Sequence, residues 1–292
     1  MRRAWAAVAV AALASCCGKR EAAPKPAVPA VIDAAVAAVV DAPAPGADVD
    51  AGAPVTAADA AVASASPIPA DTRELIVAIP PSWDARTATL SLWRRETGGA
   101  WQRDGAPWPA ITGVSGVAWG RGRHGDGAPA GQGGGVKREG DGKTPAGVFE
   151  LGGAYGVAVA PPAGARLAYQ PTSPRWRCID DAASSHYNQL LDDTGVKVDW
   201  KSAEDLVRAD PQYTWLVDVR HNPGAFPNGG SCIFLHVWRR PTAVTVGCTA
   251  MAEADLVTLI AAIDPAAHPL YVLLPADAYA ALAGPWGLPP AS

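Results

Sequence analysis

The sequence predicts a mainly β domain with one or two packed helices, on three observations. Short runs of β-branched and aromatic residues recur from residue 75 onward, each bounded by Gly, Pro or Asp. Convincing helical periodicity occurs once, in the Leu256, Leu259, Ile260, Ile263 stripe of segment 252–263. Strands and helices do not alternate as a parallel βαβ sheet requires, and no internal repeat is present.

Taken in order, 75–79, 87–96, 100–108 and 113–119 read as successive strands. A glycine-rich loop covers 120–142, followed by short strands at 147–151 and 166–169. Segments 184–192 and 202–209 each open on a serine and carry acidic or amide residues early, so both read as short helices. Strands return at 215–220 and 233–238, and 270–274 is a last buried strand.

The first 72 residues belong to no domain of this kind. Arg2 and Arg3 precede an apolar run from Ala4 to Leu13 that is too short to span a bilayer. The run ends in Leu13-Ala14-Ser15-Cys16, which resembles the lipobox cut by a bacterial lipoprotein signal peptidase. That resemblance implies a signal peptide over 1–15, a lipid on Cys16, and a home in the cell envelope facing the periplasm. The competing reading is an ordinary secretory signal with a chance cysteine. From 16 to 72 the chain is mostly Ala, Pro, Val and Asp without an aromatic residue. Such a segment has little to bury, so it reads as a disordered tether. The remaining 73–292 suit one domain, with its core at about 110–275.

Composition excludes several functions. The net charge is −4 over 292 residues, and no basic run suggests a nucleic-acid partner. Gly120, Gly122 and Gly125 satisfy a dinucleotide-loop spacing, but more glycines follow where a helix should begin. Gly142-Lys143-Thr144 looks like the end of a phosphate loop, yet Lys137 stands where its first glycine belongs. The five histidines, His124, His186, His221, His236 and His268, show no metal-ligand spacing. No metal or cofactor is expected. His268, beside Pro269, reads as an exposed turn residue.

One constellation carries chemistry. His236 lies near the end of the 233–238 strand, and Cys248 follows 12 positions later after Gly247. That span permits a hairpin return, which would set thiol and imidazole side by side. A thiol within reach of an imidazole is a nucleophile, because the base shifts it toward thiolate and later protonates a leaving amine. The plain reading, a core cysteine beside a strand histidine, fits the spacing equally well.

The surrounding residues resemble the YkuD-type L,D-transpeptidase family. Thr245-Val246-Gly247-Cys248 after His236 is similar to its catalytic motif. Lys137-Arg138-Glu139-Gly140-Asp141-Gly142-Lys143-Thr144-Pro145-Ala146-Gly147-Val148-Phe149 is similar to a stretch preceding it. Asp180-Asp181, Tyr187-Asn188, Val198-Asp199-Trp200 and His221-Asn222 resemble a larger secreted branch. The likeness implies a YkuD-like β-sandwich or barrel-like domain acting on peptidoglycan stem peptides. Cys248 would form a thioester with a tetrapeptide, His236 would move the proton, and Gly247 would lie in the oxyanion loop. Two departures stand out: Val246 replaces a frequent second histidine, and Ala250 a frequent arginine. Arg239, Arg240 or Lys201 would then meet the substrate anion, with Asn222 as a further binding residue. Hydrolysis by an L,D-carboxypeptidase or endopeptidase remains open, as does a silent peptidoglycan-binding module. A monomer is expected.

With Cys16 and Cys17 at the anchor and Cys248 as nucleophile, Cys178 and Cys232 are left to form a disulfide in an oxidising compartment. The alternative is two free buried thiols.

Overall fold

The computed structural model describes residues 66–291. Cys16, the signal segment and most of the tether lie outside the described residues. In chain order the strands are β1 (Glu74–Ile79), β2 (Thr87–Arg94), β3 (Gln102–Ile111), β4 (Val117–Trp119), β5 (Arg121–Gly122) and β6 (Gly125–Asp126). They continue with β7 (Thr144–Gly156), β8 (Tyr169–Pro171), β9 (Trp176–Cys178), β10 (Leu190–Asp192) and β11 (Glu204–Asp205). After β12 (Trp215–Val219), β13 (Phe234–Val237) and β14 (Thr249–Met251) come α1 (Glu253–Ala262), β15 (Leu270–Leu273) and α2 (Ala276–Trp286).

The main sheet runs β12-β13-β14-β3-β2-β1-β15-β7, and β7 also pairs with β12, so eight strands close into a barrel. Closure removes free edges, which otherwise invite pairing with another chain. The thirteen-residue β7 is the hub, pairing with β15 near its start and β12 near its end, and with β4 and β8 besides. The barrel-like, mainly β fold and its packed helices agree with the expectation.

Alternation along the strands sorts side chains into two cores. Val217, Val219, Leu235, Val237 and Met251 join the main core, where Leu256, Leu259, Ile260 and Ile263 of the α1 segment are fully buried. Each such side chain contributes roughly 1.5–3 kcal/mol of transfer free energy. Leu216, Phe234 and Cys248 face the other way, into a smaller cluster with Cys178, Leu206, Tyr213 and Cys232. A short sheet, β10-β9-β11, covers that cluster.

Four details differ from the sequence reading. Segments 184–192 and 202–209 are not helices; they are turns leading to β10 and β11. Ser184 and Ser185 donate their hydroxyls to Asp199, and Asp181 accepts from the Ala183 and Lys201 N–H groups. Local side-chain bonds of this kind compete with a helix. Second, β13 and β14 run parallel, so the 12-residue span is a crossover and not a hairpin return. Third, no element was assigned to 276–286, which forms α2; Pro285 falls in its last turn and Gly287 closes it at φ 64°. Fourth, Ser66 to Thr72, at the expected end of the tether, packs on the domain. Ile68 and Thr72 are buried, and the Ser66 hydroxyl donates to the Trp286 carbonyl at 2.7 Å.

The glycine-rich loop that imitated a dinucleotide fingerprint has a packing reason. A Cβ on Gly120 would lie 2.8 Å from His221 Nδ1, and one on Gly122 2.3 Å from the Val148 carbonyl oxygen. His124 is wedged there between Trp119, Phe149 and Trp286 and accepts from the Val148 N–H at 3.1 Å. His268 is the exposed turn residue expected, paired with Asp71 at 2.7 Å.

Candidate active site

Parallel pairing of β13 with β14 sets Leu235 opposite Thr249 and His236 opposite Ala250. Side chains in register share a face. Phe234, His236, Cys248 and Ala250 therefore point to the same side, with the thiol two residues before the position opposite the imidazole. Cys248 is 5% exposed and is the free cysteine of the described residues.

The peptide of Cys248 is held from several directions. Its carbonyl accepts from the Thr245 hydroxyl at 2.6 Å and the Thr144 hydroxyl at 3.1 Å, and the latter also accepts from the Gly113 N–H. Thus the 140–149 segment reaches the backbone of Cys248 through Thr144. Gly247 is not at positive φ. Its small size is needed for close approach: a Cβ there would lie 3.2 Å from Ile233 Cδ1 and 3.3 Å from the Lys143 carbonyl oxygen. The Gly247 N–H is occupied by the Thr245 hydroxyl, whereas no hydrogen bond from the described residues engages the N–H of Cys248.

The thiol sulfur accepts from the Phe234 N–H at 3.4 Å and lies 3.5 Å from the Cys232 carbonyl oxygen. It makes no hydrogen bond to His236 in this conformation. His236 Nδ1 lies 2.8 Å from the Val237 carbonyl oxygen. A carbonyl only accepts, so Nδ1 donates to it, and the Gln212 backbone is a second partner of the ring that favours its protonated form. The Tyr213 ring stands edge-on to His236, with centroids 5.2 Å apart. Burial pushes His236 down to about 4 and is the main cause raising the Cys248 thiol, with Glu204 adding to the rise. At neutral pH both partners therefore rest uncharged.

A cavity of about 400 Å³ opens on the thiol, lined by Lys137, Glu139, Asp180, Glu204, Ser231, Gly247 and Cys248 among others. Tyr213 donates its hydroxyl to Glu204 at 2.6 Å, and Glu139 accepts from the Tyr187 and Ser231 hydroxyls. Burial raises Glu204 against that hydrogen bond. Sequence reasoning missed Lys137, Glu204 and Tyr213, which converge only in space. Lys137 stands four residues before Asp141 in the recognised stretch, which was the one available signal.

The other expected residues have different surroundings. Arg239 pairs with Asp210 at 2.8 Å and Arg240 donates to the Thr242 hydroxyl, and neither lines the cavity. The backbone N–H of Lys201 serves Asp181. Asn222 is fully buried and its amide holds the Phe226 and Gly230 carbonyls. Asn188 donates to the His221 and Asn222 carbonyls and accepts from the Cys232 N–H, tying the small sheet to the segment entering β13. Cys178 and Cys232 are bonded, with Cα atoms 5.9 Å apart, and this covalent tie reinforces the same junction.

The family model of the L,D-transpeptidase catalytic domain, YkuD, matches residues 100–272, more than half of the chain, and leaves β1 and β2 of the barrel outside the match. No curated protein and no solved structure matches the chain. The chain belongs to the YkuD family of L,D-transpeptidase catalytic domains.

Proposed function

We propose that this protein is a peptidoglycan L,D-transpeptidase with Cys248 as nucleophile and His236 as general acid and base. The observation that carries the reading is the pairing across β13 and β14. A free thiol and an imidazole share one face, and the thiol opens on a cavity large enough for a peptide end.

The donor is a stem tetrapeptide. Rotation of the buried thiol toward His236, its neighbour on the same face, hands its proton to Nε2, and the thiolate attacks the carbonyl of the third residue. Active-site hydrogen bonds commonly tighten only when substrate binds. The Cys248 N–H is the free donor at the thiol and supports the oxyanion. Collapse breaks the amide bond, D-Ala leaves with the proton from His236, and a thioester remains. His236 then deprotonates an amine of a second stem, whose attack forms the cross-link and frees the thiol. Ground-state burial of both groups as neutral species means that substrate, not a standing ion pair, triggers ionisation.

A lipid on Cys16 and a tether ahead of residue 66 complete the reading. They would hold the domain in the envelope while letting it reach glycan away from the bilayer; the Leu13-Ala14-Ser15-Cys16 motif supports this.

Purified disaccharide tetrapeptide provides the test. Cross-linked dimers with release of D-Ala are expected, and none with Cys248→Ala. Tripeptide without dimer would replace transfer by hydrolysis. No product and no modification of Cys248 would leave a silent binding module.

A further inference from the structure

Ionising Cys248 inside this cavity requires a compensating charge, and β14 offers none, since Ala250 is buried and apolar. We propose that Lys137 supplies it: its ammonium is the positive charge that stabilises the Cys248 thiolate. This deepens the transpeptidase reading and rests on Cys248 being the nucleophile.

Lys137 is only 4% exposed, a rare state for an ammonium. Its stem runs beside the residue preceding the nucleophile. An ideal Cβ on Gly247 would lie 4.0 Å from Lys137 Cε, and one on Gly230 3.3 Å from it. Among the described residues lining the thiol cavity, Lys137 is the single Lys, Arg or His. Neighbouring cations are taken elsewhere: Arg239 by Asp210, and Arg208 by Asp210 and Glu204. Nζ donates to Asp141 at 2.6 Å and to the Arg138 carbonyl at 2.7 Å, leaving one of its three N–H donors uncommitted.

Among the other groups around the thiol, the Phe234 N–H and the Tyr213 hydroxyl favour ionisation as hydrogen-bond partners without net charge, and the carboxylates oppose it. Glu139 and Asp141 line the cavity from the loop before β7, Asp180 and Glu204 from the small sheet. Tyr213 approaches from the turn before β12, His236 lies on β13, and Tyr271 lies on β15. Burial and then Glu204 raise the thiol, while the Phe234 N–H, Lys137 and the Tyr213 hydroxyl lower it, and Lys137 alone of these three carries a charge. Asp141 fixes where the ammonium sits and at the same time dilutes its field. A Lys–Asp pair with a purely structural task would gain nothing from facing the nucleophile.

The test is the pH dependence of Cys248 alkylation by iodoacetamide, followed on the Cys248 peptide by mass so that Cys16 and Cys17 do not contribute. Thiolate alone reacts, so the midpoint reads the thiol directly. Lys137→Met should move the midpoint up by about one unit or more, the usual effect of losing an opposite charge at short range. Alkylation at a fixed pH below the midpoint then slows by about tenfold or more. Lys137→Arg should stay near wild type, and Asp141→Asn should move the midpoint down. Opposite shifts from the two ends of one pair cannot come from general loosening. Unchanged midpoints, or shifts of the same sign, overturn the proposal. If Lys137→Met does not fold, Asp141→Asn decides alone. The assay needs no peptidoglycan, so it judges Lys137 even if muropeptides are not turned over.

Discussion

Removing the Cys178–Cys232 bond should cost this domain about 4 kcal/mol. The bond closes a loop of 54 residues containing β10 and β11 of the small sheet, the Pro211–Tyr213 turn and β12. Chain-entropy bookkeeping for a loop of that length gives about 4 kcal/mol at 25 °C, since freeing it returns that entropy to the unfolded chain. Against a typical domain stability of about 5–15 kcal/mol this is a large fraction. The assay is urea unfolding of wild type against the Cys178→Ala/Cys232→Ala double variant, followed by tryptophan fluorescence. The midpoint should fall and the m-value rise, because the uncrosslinked chain exposes more surface on unfolding. Turnover should suffer as well, because Glu204 and Tyr213 are carried inside the closed loop. A loss under about 1 kcal/mol with an unchanged m-value would refute the reasoning.

Further predictions concern single positions. Gly247→Ala must displace Ile233 or the Lys143 carbonyl by a few tenths of an ångström, so stability drops by about 1 kcal/mol. Turnover drops further, by about tenfold or more, because the adjacent nucleophile moves; equal activity would remove Gly247 from the account. Tyr213→Phe leaves Glu204 without its donated hydrogen bond and should cost about 1–3 kcal/mol in urea unfolding, with no loss counting against a buried Glu204–Tyr213 link. His236 is held at about 4 in the fold against about 6.5 unfolded, so the unfolded state binds the extra proton between those values. Wild-type stability relative to His236→Asn is therefore complete above pH 6.5 and is lost as pH falls toward 4. The difference amounts to about 3 kcal/mol, and a flat difference across that window would contradict a neutral, buried ring. Cys16→Ser should release the protein from the membrane fraction, and an unmodified wild-type N-terminus would end the anchor reading.

Much of the fold was legible because burial writes itself into residue type. The strands at 75–79, 215–220 and 233–238 were dense in Val, Ile, Leu and Phe, and the structure places β1, β12 and β13 there within a residue or so. The disulfide was legible through parity, since two cysteines remained once the anchor and the candidate nucleophile were set aside. What failed were features decided by partners distant in sequence. Segment 184–192 has helix-like residues, but Asp199 draws Ser184 and Ser185 into a turn. Nothing local to residues 234–251 distinguishes a hairpin from a parallel crossover; β3, pairing with β14 from the other side, completes the barrel. The site shows the same limit. Cys248 and His236 lie 12 residues apart and could be paired by eye, whereas Lys137 and Glu204 meet them from 111 and 44 residues before the thiol.

The central claim is that Cys248 carries the acyl group. The most direct measurement is intact mass analysis of the protein mixed briefly with disaccharide tetrapeptide and no added acceptor, followed by peptide mapping. The account predicts an adduct equal to the donor less D-Ala, on the Cys248 peptide, cleared by an added amine acceptor and absent from Cys248→Ala. Cross-linking that persists in Cys248→Ala, or an adduct mapped to another residue, would contradict it.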